Sequence, residues 1–135
     1  MKESLTAGVT ATQKIAIDRD RTIGFMGDEG RVYSTPSMVR DIEYTCHELL
    51  SEHTDDGENS VGTHVSVDHI GATVEGDQVE VSVTITAVEG RAVSFDATVK
   101  DSLEEVGRGV HNRFVVDVQK TYERLTEKRK KVMGS

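Results

Sequence analysis

The chain has one cysteine and one proline among its 135 residues, and no long apolar run interrupts its polar composition. A lone cysteine, Cys46, cannot form an intrachain disulfide and fits a reducing compartment. No stretch approaches the roughly 20 apolar residues that a membrane-spanning helix needs. The N-terminal residues lack the apolar segment of a secretory signal, so the expected location is cytoplasmic. With 36% hydrophobic residues, the chain is expected to fold rather than to remain disordered.

Clustered positive charge is also scarce. The formal net charge of -8 argues against nucleic acid as the main partner, because phosphate binding requires clustered Lys and Arg. The exception is the basic run at 128–131, which is typical of a solvated terminal segment. No glycine-rich phosphate loop or Gly-x-Gly-x-x-Gly motif is present. The length is that of one domain, expected over residues 1–133.

Alternating apolar residues predict most of the secondary structure. The predicted elements are strands at 5–17, 61–70, 78–88, 91–100 and 105–116, a helix at 36–50, and loops at 18–34 and 51–60. Predicted apolar faces are Val79, Val81, Val83 and Ile85; Val93, Phe95, Ala97 and Val99; and Val110, Asn112, Phe114 and Val116. Only the 36–50 helix has an apolar stripe long enough to cover such a sheet. The fold class is therefore α+β, with an antiparallel sheet of about five strands and one long helix.

The segment 61–69 contains two histidines. Strict alternation would place Val61, Thr63, Val65, Val67 and His69 on one apolar face, with His69 at the rim of the core. There it could act as a general base or a hydrogen-bond donor, or be a partly buried polar residue with satisfied hydrogen bonds. His64 has the opposite parity, so the two rings are not placed to share a metal ion, and no metal site is predicted.

The predicted helix begins with two residues of interest. Thr35 reads as the N-cap and Pro36 as the first helical position. Glu43 falls at the edge of the apolar stripe, where it could reach a site or lie on a solvated flank. Cys46 lies on the apolar side, which favours a small core side chain over a nucleophile.

These segments together resemble the hot-dog-fold acyl-CoA thioesterases, most closely the fluoroacetyl-CoA thioesterase type. The resemblance rests on Thr35 with Glu43 eight residues later, Cys46, the run Val-Gly-Thr-His-Val-Ser-Val-Asp-His at 61–69, Val-Glu-Gly-Arg at 88–91, and Gly-Val-His-Asn-Arg-Phe-Val-Val-Asp at 109–117. It covers most of residues 33–125. The run at 61–69 is its most specific part.

The resemblance implies hydrolysis of an acyl-CoA thioester, with Thr35, Glu43 and His69 as catalytic residues and the Gly62 backbone N–H as the donor to the thioester oxygen. Thr35 would either attack covalently or orient water. The resemblance further implies substrate contacts from Phe25, Tyr33 and Arg113, no cofactor beyond the coenzyme A of the substrate, and a homodimer with its sites near the interface. The basic run at 128–131 could then contact the phosphates of coenzyme A.

Several residues depart from the family pattern. The segment 24–34 is polar, and only Phe25, Met26, Val32 and Tyr33 could roof an acyl pocket. Tyr44 stands where the relative has tryptophan, and Pro36 where it has glycine. The polar segment argues against selection for a fluorinated acyl group, and the changes at 44 and 36 are expected to reshape the pocket rather than abolish it. The thioesterase interpretation stays in place.

The sequence is also compatible with two other functions. One is a non-catalytic acyl-CoA-binding domain acting as a ligand sensor, although no output domain is recognisable. The other is a hot-dog hydratase or dehydratase, although its catalytic signature loop is not found.

Overall fold

The computed structural model describes residues 1–134. The strands are β1 (Thr10–Ala16), β2 (Glu58–His69), β3 (Gln78–Glu89), β4 (Ala92–Lys100) and β5 (Glu105–Asp117), and the helices are α1 (Thr35–Ser51) and α2 (Val118–Met133). The strands form a five-stranded sheet in the order β1-β3-β4-β5-β2. Every neighbouring pair is antiparallel. The sheet with one covering helix confirms the predicted α+β architecture.

Helix α1 packs across one face of the sheet and closes the core. Its apolar stripe is buried as predicted, and so are the alternating residues of β3 and β4. The buried residues on these three elements include Met38, Ile42, Leu49, Leu50, Val79, Val81, Val83, Ile85, Val93, Phe95, Ala97 and Val99. Gly107 lets the helix come close to β5, because a Cβ there would lie 2.5 Å from Met38 Sδ. The turns predicted around Gly76 and Gly90 are present, and both glycines have positive φ.

The predicted inner face of β5 is wrong. Val110 and Phe114 belong to the outer face and are 40% and 41% exposed, while His111, Arg113 and Val115 are buried on the helix side. The prediction fails because the apolar residues of β5 lie on its outer face. The consequence is that two polar side chains, His111 and Arg113, lie inside the domain next to α1.

Strand β2 does not alternate regularly. Its register against β5 shifts between Gly62 and His64, so Thr63 is an extra residue at a β-bulge. Val61 is therefore turned outward, and the prediction that it shares a face with Val65 and His69 is wrong. The bulge has a second effect. Gly62 and His69 are seven residues apart and would face opposite sides of a regular strand, but the extra residue brings both to the helix side.

The start of α1 also differs from the prediction. Ser34 is the N-cap, and its side chain accepts a hydrogen bond from the Ser37 N–H at 3.1 Å. Thr35 is the first residue of the helix, so its hydroxyl is free for another contact. At the other end of the chain, the basic run lies in α2, which has no buried residue.

Candidate active site

Thr35 and His69 are brought together from two elements. The Thr35 Oγ1 lies 2.8 Å from His69 Nδ1. Both residues line a cavity of about 340 Å³ together with Val32 and Tyr33. Thr35 is exposed and His69 is partly buried, so a ligand could reach the pair from solvent. Burial lowers the pKa of His69 below its ordinary value, and the hydrogen bond that its ring donates to the Gly71 backbone acts in the opposite direction. A neutral imidazole beside a hydroxyl can accept the proton of that hydroxyl or of a bound water.

Tyr33 forms one wall of this cavity, and a hydrogen bond to Asp41 fixes its side chain. Its ring packs edge-on against His69, with the ring centroids 6.2 Å apart. Its hydroxyl donates to Asp41 Oδ2 at 2.6 Å, and Arg21 Nε donates to the same oxygen at 3.1 Å. Burial and then the carboxylate of Asp41 raise the pKa of Tyr33, so the phenol stays protonated. Because the hydroxyl is already engaged, Tyr33 can offer a substrate only its ring.

Glu43 lies in a second cavity. This cavity has a volume of about 640 Å³, and Gly62 and Arg113 also line it. Glu43 is partly buried, as its position at the edge of the stripe predicts. A Cβ on Gly62 would lie 3.4 Å from Glu43 Oε1, so the carboxylate stands directly beside the glycine backbone. Within a single chain, the five residues predicted for the centre of the site therefore fall into two groups, Thr35 with His69 and Glu43 with Gly62 and Arg113.

Arg113 is buried rather than open to solvent. It is 7% exposed, and its Nε and Nη2 donate to the Oγ and the carbonyl oxygen of Ser60 at 2.8 and 2.9 Å. Burial lowers the pKa of this guanidinium, while Cys46 and Glu43 act in the opposite direction. Among residues 1–134, no carboxylate lies within 4.0 Å of it to form an ion pair. The charge is held by neutral partners instead.

His111 is a member of this cluster that the sequence analysis missed. It is fully buried, and its Nδ1 lies 2.8 Å from the carbonyl oxygen of His64. Its Nε2 lies 3.1 Å from Arg113 Nη1. Because a carbonyl can only accept, Nδ1 carries the hydrogen and Nε2 accepts from Arg113. Burial lowers the pKa of His111, as does the charge of Arg113, which fits the neutral tautomer. Alternation with Val115 on the inner face was the available sequence signal.

The segment before α1 does not close over either cavity. Phe25 and Met26 are 83% and 65% exposed and line neither of them. Of the four residues expected to form a roof, only Val32 and Tyr33 border the cavity of Thr35 and His69. The cavity of Thr35 and His69 is therefore not covered by Phe25 or Met26.

Cys46, metal binding and membrane spans were the remaining questions that the sequence raised. Cys46 is buried, and burial raises the pKa of its thiol to about 12, so it is a core side chain rather than a nucleophile. Across residues 1–134, the structure contains no cluster of three or more residues suited to hold a metal ion. In the same range, no helix combines the length and the apolar character needed to span a membrane.

Comparison with known proteins identifies the family. The model of the fluoroacetyl-CoA-specific thioesterase (FlK) family matches residues 17–119. The chain belongs to this family. A curated relative, the fluoroacetyl-CoA thioesterase of Streptantibioticus cattleyicolor, is 28% identical over 135 residues, covering 95% of this chain and 97% of the relative.

Solved structures agree with this membership. A structure of the fluoroacetyl-CoA thioesterase FlK matches with a TM-score of 0.84 and 27% identity, covering 93% of this chain and 98% of that one. A hot-dog-like protein from Thermanaerovibrio acidaminovorans matches with a TM-score of 0.84 and 24% identity over 90% and 91% of the two chains, which confirms the fold. This FlK-family member has the hot-dog fold and is an acyl-CoA thioester hydrolase, as predicted. The roles of its individual residues stay predictions.

Proposed function

We propose that the protein hydrolyses a short acyl-CoA thioester at a site built from Thr35, His69, Glu43 and Gly62. The contact between Thr35 Oγ1 and His69 Nδ1 at 2.8 Å is the observation that carries this proposal. Neutral His69 would take a proton from Thr35 or from a water that Thr35 orients, and would return it to the sulfur of coenzyme A as the C–S bond breaks. In the covalent route, a water would then release the acyl group from Thr35. The Gly62 N–H would donate to the oxygen that becomes negative as the thioester carbonyl is attacked. A short acyl group is supported by a relative, since a variant of FlK has been solved with acetyl-CoA.

We further propose that the complete site forms between two copies of the chain. Strand β2 is the last strand of the sheet and pairs only with β5 within residues 1–134, so its other edge is available to a second chain. In a twofold antiparallel pair, the residue numbers opposite each other have a constant sum. An axis between Val65 and Ser66 would place Gly62 of one copy opposite His69 of the other.

Such a dimer would join the two groups of residues that one chain keeps apart. Thr35 and His69 of one copy would face Glu43 and Gly62 of its partner, and each dimer would hold two sites. Glu43 would there orient the water, because an ionised carboxylate accepts hydrogen bonds from water. We also propose that the reaction needs no metal or separate cofactor, because the chain supplies the base, the hydroxyl and the oxyanion donor. A cytoplasmic location is proposed with it, since acyl-CoA is an intracellular substrate class and the lone Cys46 fits a reducing compartment.

A hydrolysis screen tests the proposed function. Purified protein is incubated with short, long and aromatic acyl-CoAs, and the released thiol is followed with a chromogenic reagent. Buried Cys46 should not react with the reagent in the folded protein, so the signal reports coenzyme A alone. Turnover of short acyl-CoAs is expected. Tight acyl-CoA binding without thiol release from any member of the set would instead favour the sensor function.

A further inference from the structure

Two side chains of β5, on the helix side of the sheet, hold the bulge in β2 in place. Arg113 donates twice to Ser60, and His111 donates once to the carbonyl of His64. Ser60 and His64 lie two residues before and two residues after Gly62. The Nη1 of Arg113 also donates to His111 Nε2, so the two side chains form one connected unit. We call His111 and Arg113 together the bulge clamp.

The bulge decides where the Gly62 backbone faces. If Thr63 were paired regularly with β5 and formed no bulge, Gly62 and His69 would lie on opposite faces of β2, and one of them would leave the helix side of the sheet. A bulge leaves one residue without its ladder hydrogen bonds, and regular pairing of the two strands would restore them. Contacts from outside β2 are therefore needed to favour the bulged register. The clamp supplies fixed partners for the two carbonyls that flank the bulge. Both clamp residues are buried, so water does not compete for these hydrogen bonds.

The clamp also lies close to Gly62, on the helix side of the sheet. A Cβ on Gly62 would lie 3.1 Å from His111 Cε1 and 3.5 Å from Arg113 Nη1. The ring of His111 is itself fixed by stacking on Phe95, with centroids 6.3 Å apart and an interplanar angle of 28°. A displacement of either side chain is therefore transmitted directly to the peptide groups around Gly62.

We propose that His111 is a positioning residue for thioester hydrolysis: through its hydrogen bond to the His64 carbonyl, and with Arg113, it fixes the bulge that directs the Gly62 N–H toward the thioester oxygen. This inference rests on the proposed function of Gly62. Oxyanion donors must sit about 2.7–3.1 Å from the developing charge, and a misplacement of about 1 Å can cost on the order of 100-fold in rate. The neutral tautomer of His111 is essential, because only Nδ1–H can donate to the carbonyl while Nε2 accepts from Arg113.

Two conservative variants separate the two hydrogen bonds of His111. In His111→Asn, the side-chain amide nitrogen takes the place of Nδ1 and can still donate to His64. In His111→Gln, the amide oxygen takes the place of Nε2 and can still accept from Arg113, but the donor to His64 is lost. The expected result is that His111→Gln lowers kcat about 10- to 100-fold with KM changed less than about threefold, whereas His111→Asn loses less than about tenfold. Equal losses of kcat in both variants, or full activity in His111→Gln, would overturn the proposal.

Amide hydrogen exchange gives a readout that does not depend on turnover. In His111→Gln, exchange at residues 62–64 should accelerate at least about tenfold while exchange in β3 stays unchanged. Unchanged exchange at 62–64 contradicts the clamp even if the enzyme is active. Altered exchange in a protein whose wild type hydrolyses no acyl-CoA would retain the clamp and refute the thioesterase site instead. His53→Asn and His53→Gln serve as matched controls, since the His53 ring bonds to Ser4 and lines neither of the two cavities.

A third variant covers the case in which His111→Gln does not fold. Ser60→Ala removes one hydroxyl that accepts from Arg113 Nε and leaves the Ser60 carbonyl as a partner. It should lower kcat about two- to tenfold and speed exchange at 62–64 in the same direction. Wild-type values in both measurements would overturn the proposal.

Discussion

The hydroxyl of Thr35 lies 2.8 Å from Nδ1 of His69, although 34 residues separate them in sequence. Thr35 can make this contact because its neighbour Ser34 caps the helix in its place. The threonine therefore sits on the first turn of α1 with its hydroxyl directed at the end of β2. The positive end of the helix dipole is close by and favours negative charge that develops near Thr35.

Adjacent hydroxyls at 34 and 35 should have separable roles. Ser34→Ala removes the N-cap and should lower the free energy of unfolding by about 1 kcal/mol, with little change in kcat of the folded enzyme. Thr35→Ala keeps the cap and should lower kcat on the order of 100-fold with a smaller loss of stability. Denaturant melts and steady-state kinetics on both variants check this. The assignment fails if Thr35→Ala melts as early as Ser34→Ala and keeps its turnover.

Substitution of the two β2 histidines should have unequal effects. His69→Ala removes the proposed base and should cut kcat by roughly two to four orders of magnitude with little loss of folding. His64→Ala removes an exposed ring and leaves the carbonyl that His111 contacts, so its effect should be much smaller. Hydrolysis rates for the two purified variants decide the point. Comparable losses would remove His69 from the role of base.

The pH dependence of hydrolysis should follow His69. Only the neutral imidazole can accept a proton, so kcat/KM should fall as pH drops through the His69 pKa. Because burial lowers that pKa, the acidic limb should have its midpoint below the ordinary imidazole value of about 6.5. A profile of kcat/KM between about pH 4.5 and 8 measures it. A midpoint at or above about 6.5 would show that another group controls the limb, or that substrate-free His69 is less buried.

Because the segment before α1 is open, the enzyme should discriminate weakly between fluoroacetyl-CoA and acetyl-CoA. Phe25 is 83% exposed, and no residue of 24–30 lines the cavity of Thr35 and His69. Small changes of group size in a pocket are worth only about 1–3 kcal/mol even when the fit is close. The values of kcat/KM for fluoroacetyl-CoA and acetyl-CoA should therefore be similar. A preference above about a thousandfold would mean that this segment closes over bound substrate.

The regular elements were predictable because one physical requirement determines them. In β3 and β4, every second residue is apolar and faces α1, so periodicity gives both the strand and its inner face. The α1 stripe follows from the same rule with a helical period. The Thr35–His69 pair was also within reach, since family resemblance and the position of each residue at the end of an element both indicated it.

The parts that were missed depend on contacts between distant residues. The bulge at Thr63 arises from the register between β2 and β5, which no local pattern encodes. The inner face of β5 was chosen by hydrophobicity, but Val110 and Phe114 lie outside and His111 and Arg113 lie inside. Polar residues are tolerated there because each bonds to a backbone or side-chain partner, and such pairing becomes visible only in three dimensions.

Mixing of inactive variants tests whether the site is shared between two copies. If Thr35 and His69 come from one copy and Glu43 from its partner, a heterodimer of His69→Ala and Glu43→Gln contains one site with both defects and one intact site. Random exchange makes about half of the dimers mixed, so about a quarter of wild-type activity should return. The matched control mixes His69→Ala with Thr35→Ala. Both defects then fall in the same half, every site is damaged, and no activity should return.

In each mixture, the two variants are unfolded and refolded together, and light scattering confirms that dimers form. Recovery in the first mixture alone supports the shared site. Equal recovery in both mixtures would point to complementation without a shared half. No recovery in either, in samples shown to contain mixed dimers, would place Glu43 and His69 of one copy in the same site. That result would require α1 and β2 to approach each other more closely on dimerisation than they do in the single chain, where the two side chains line separate cavities.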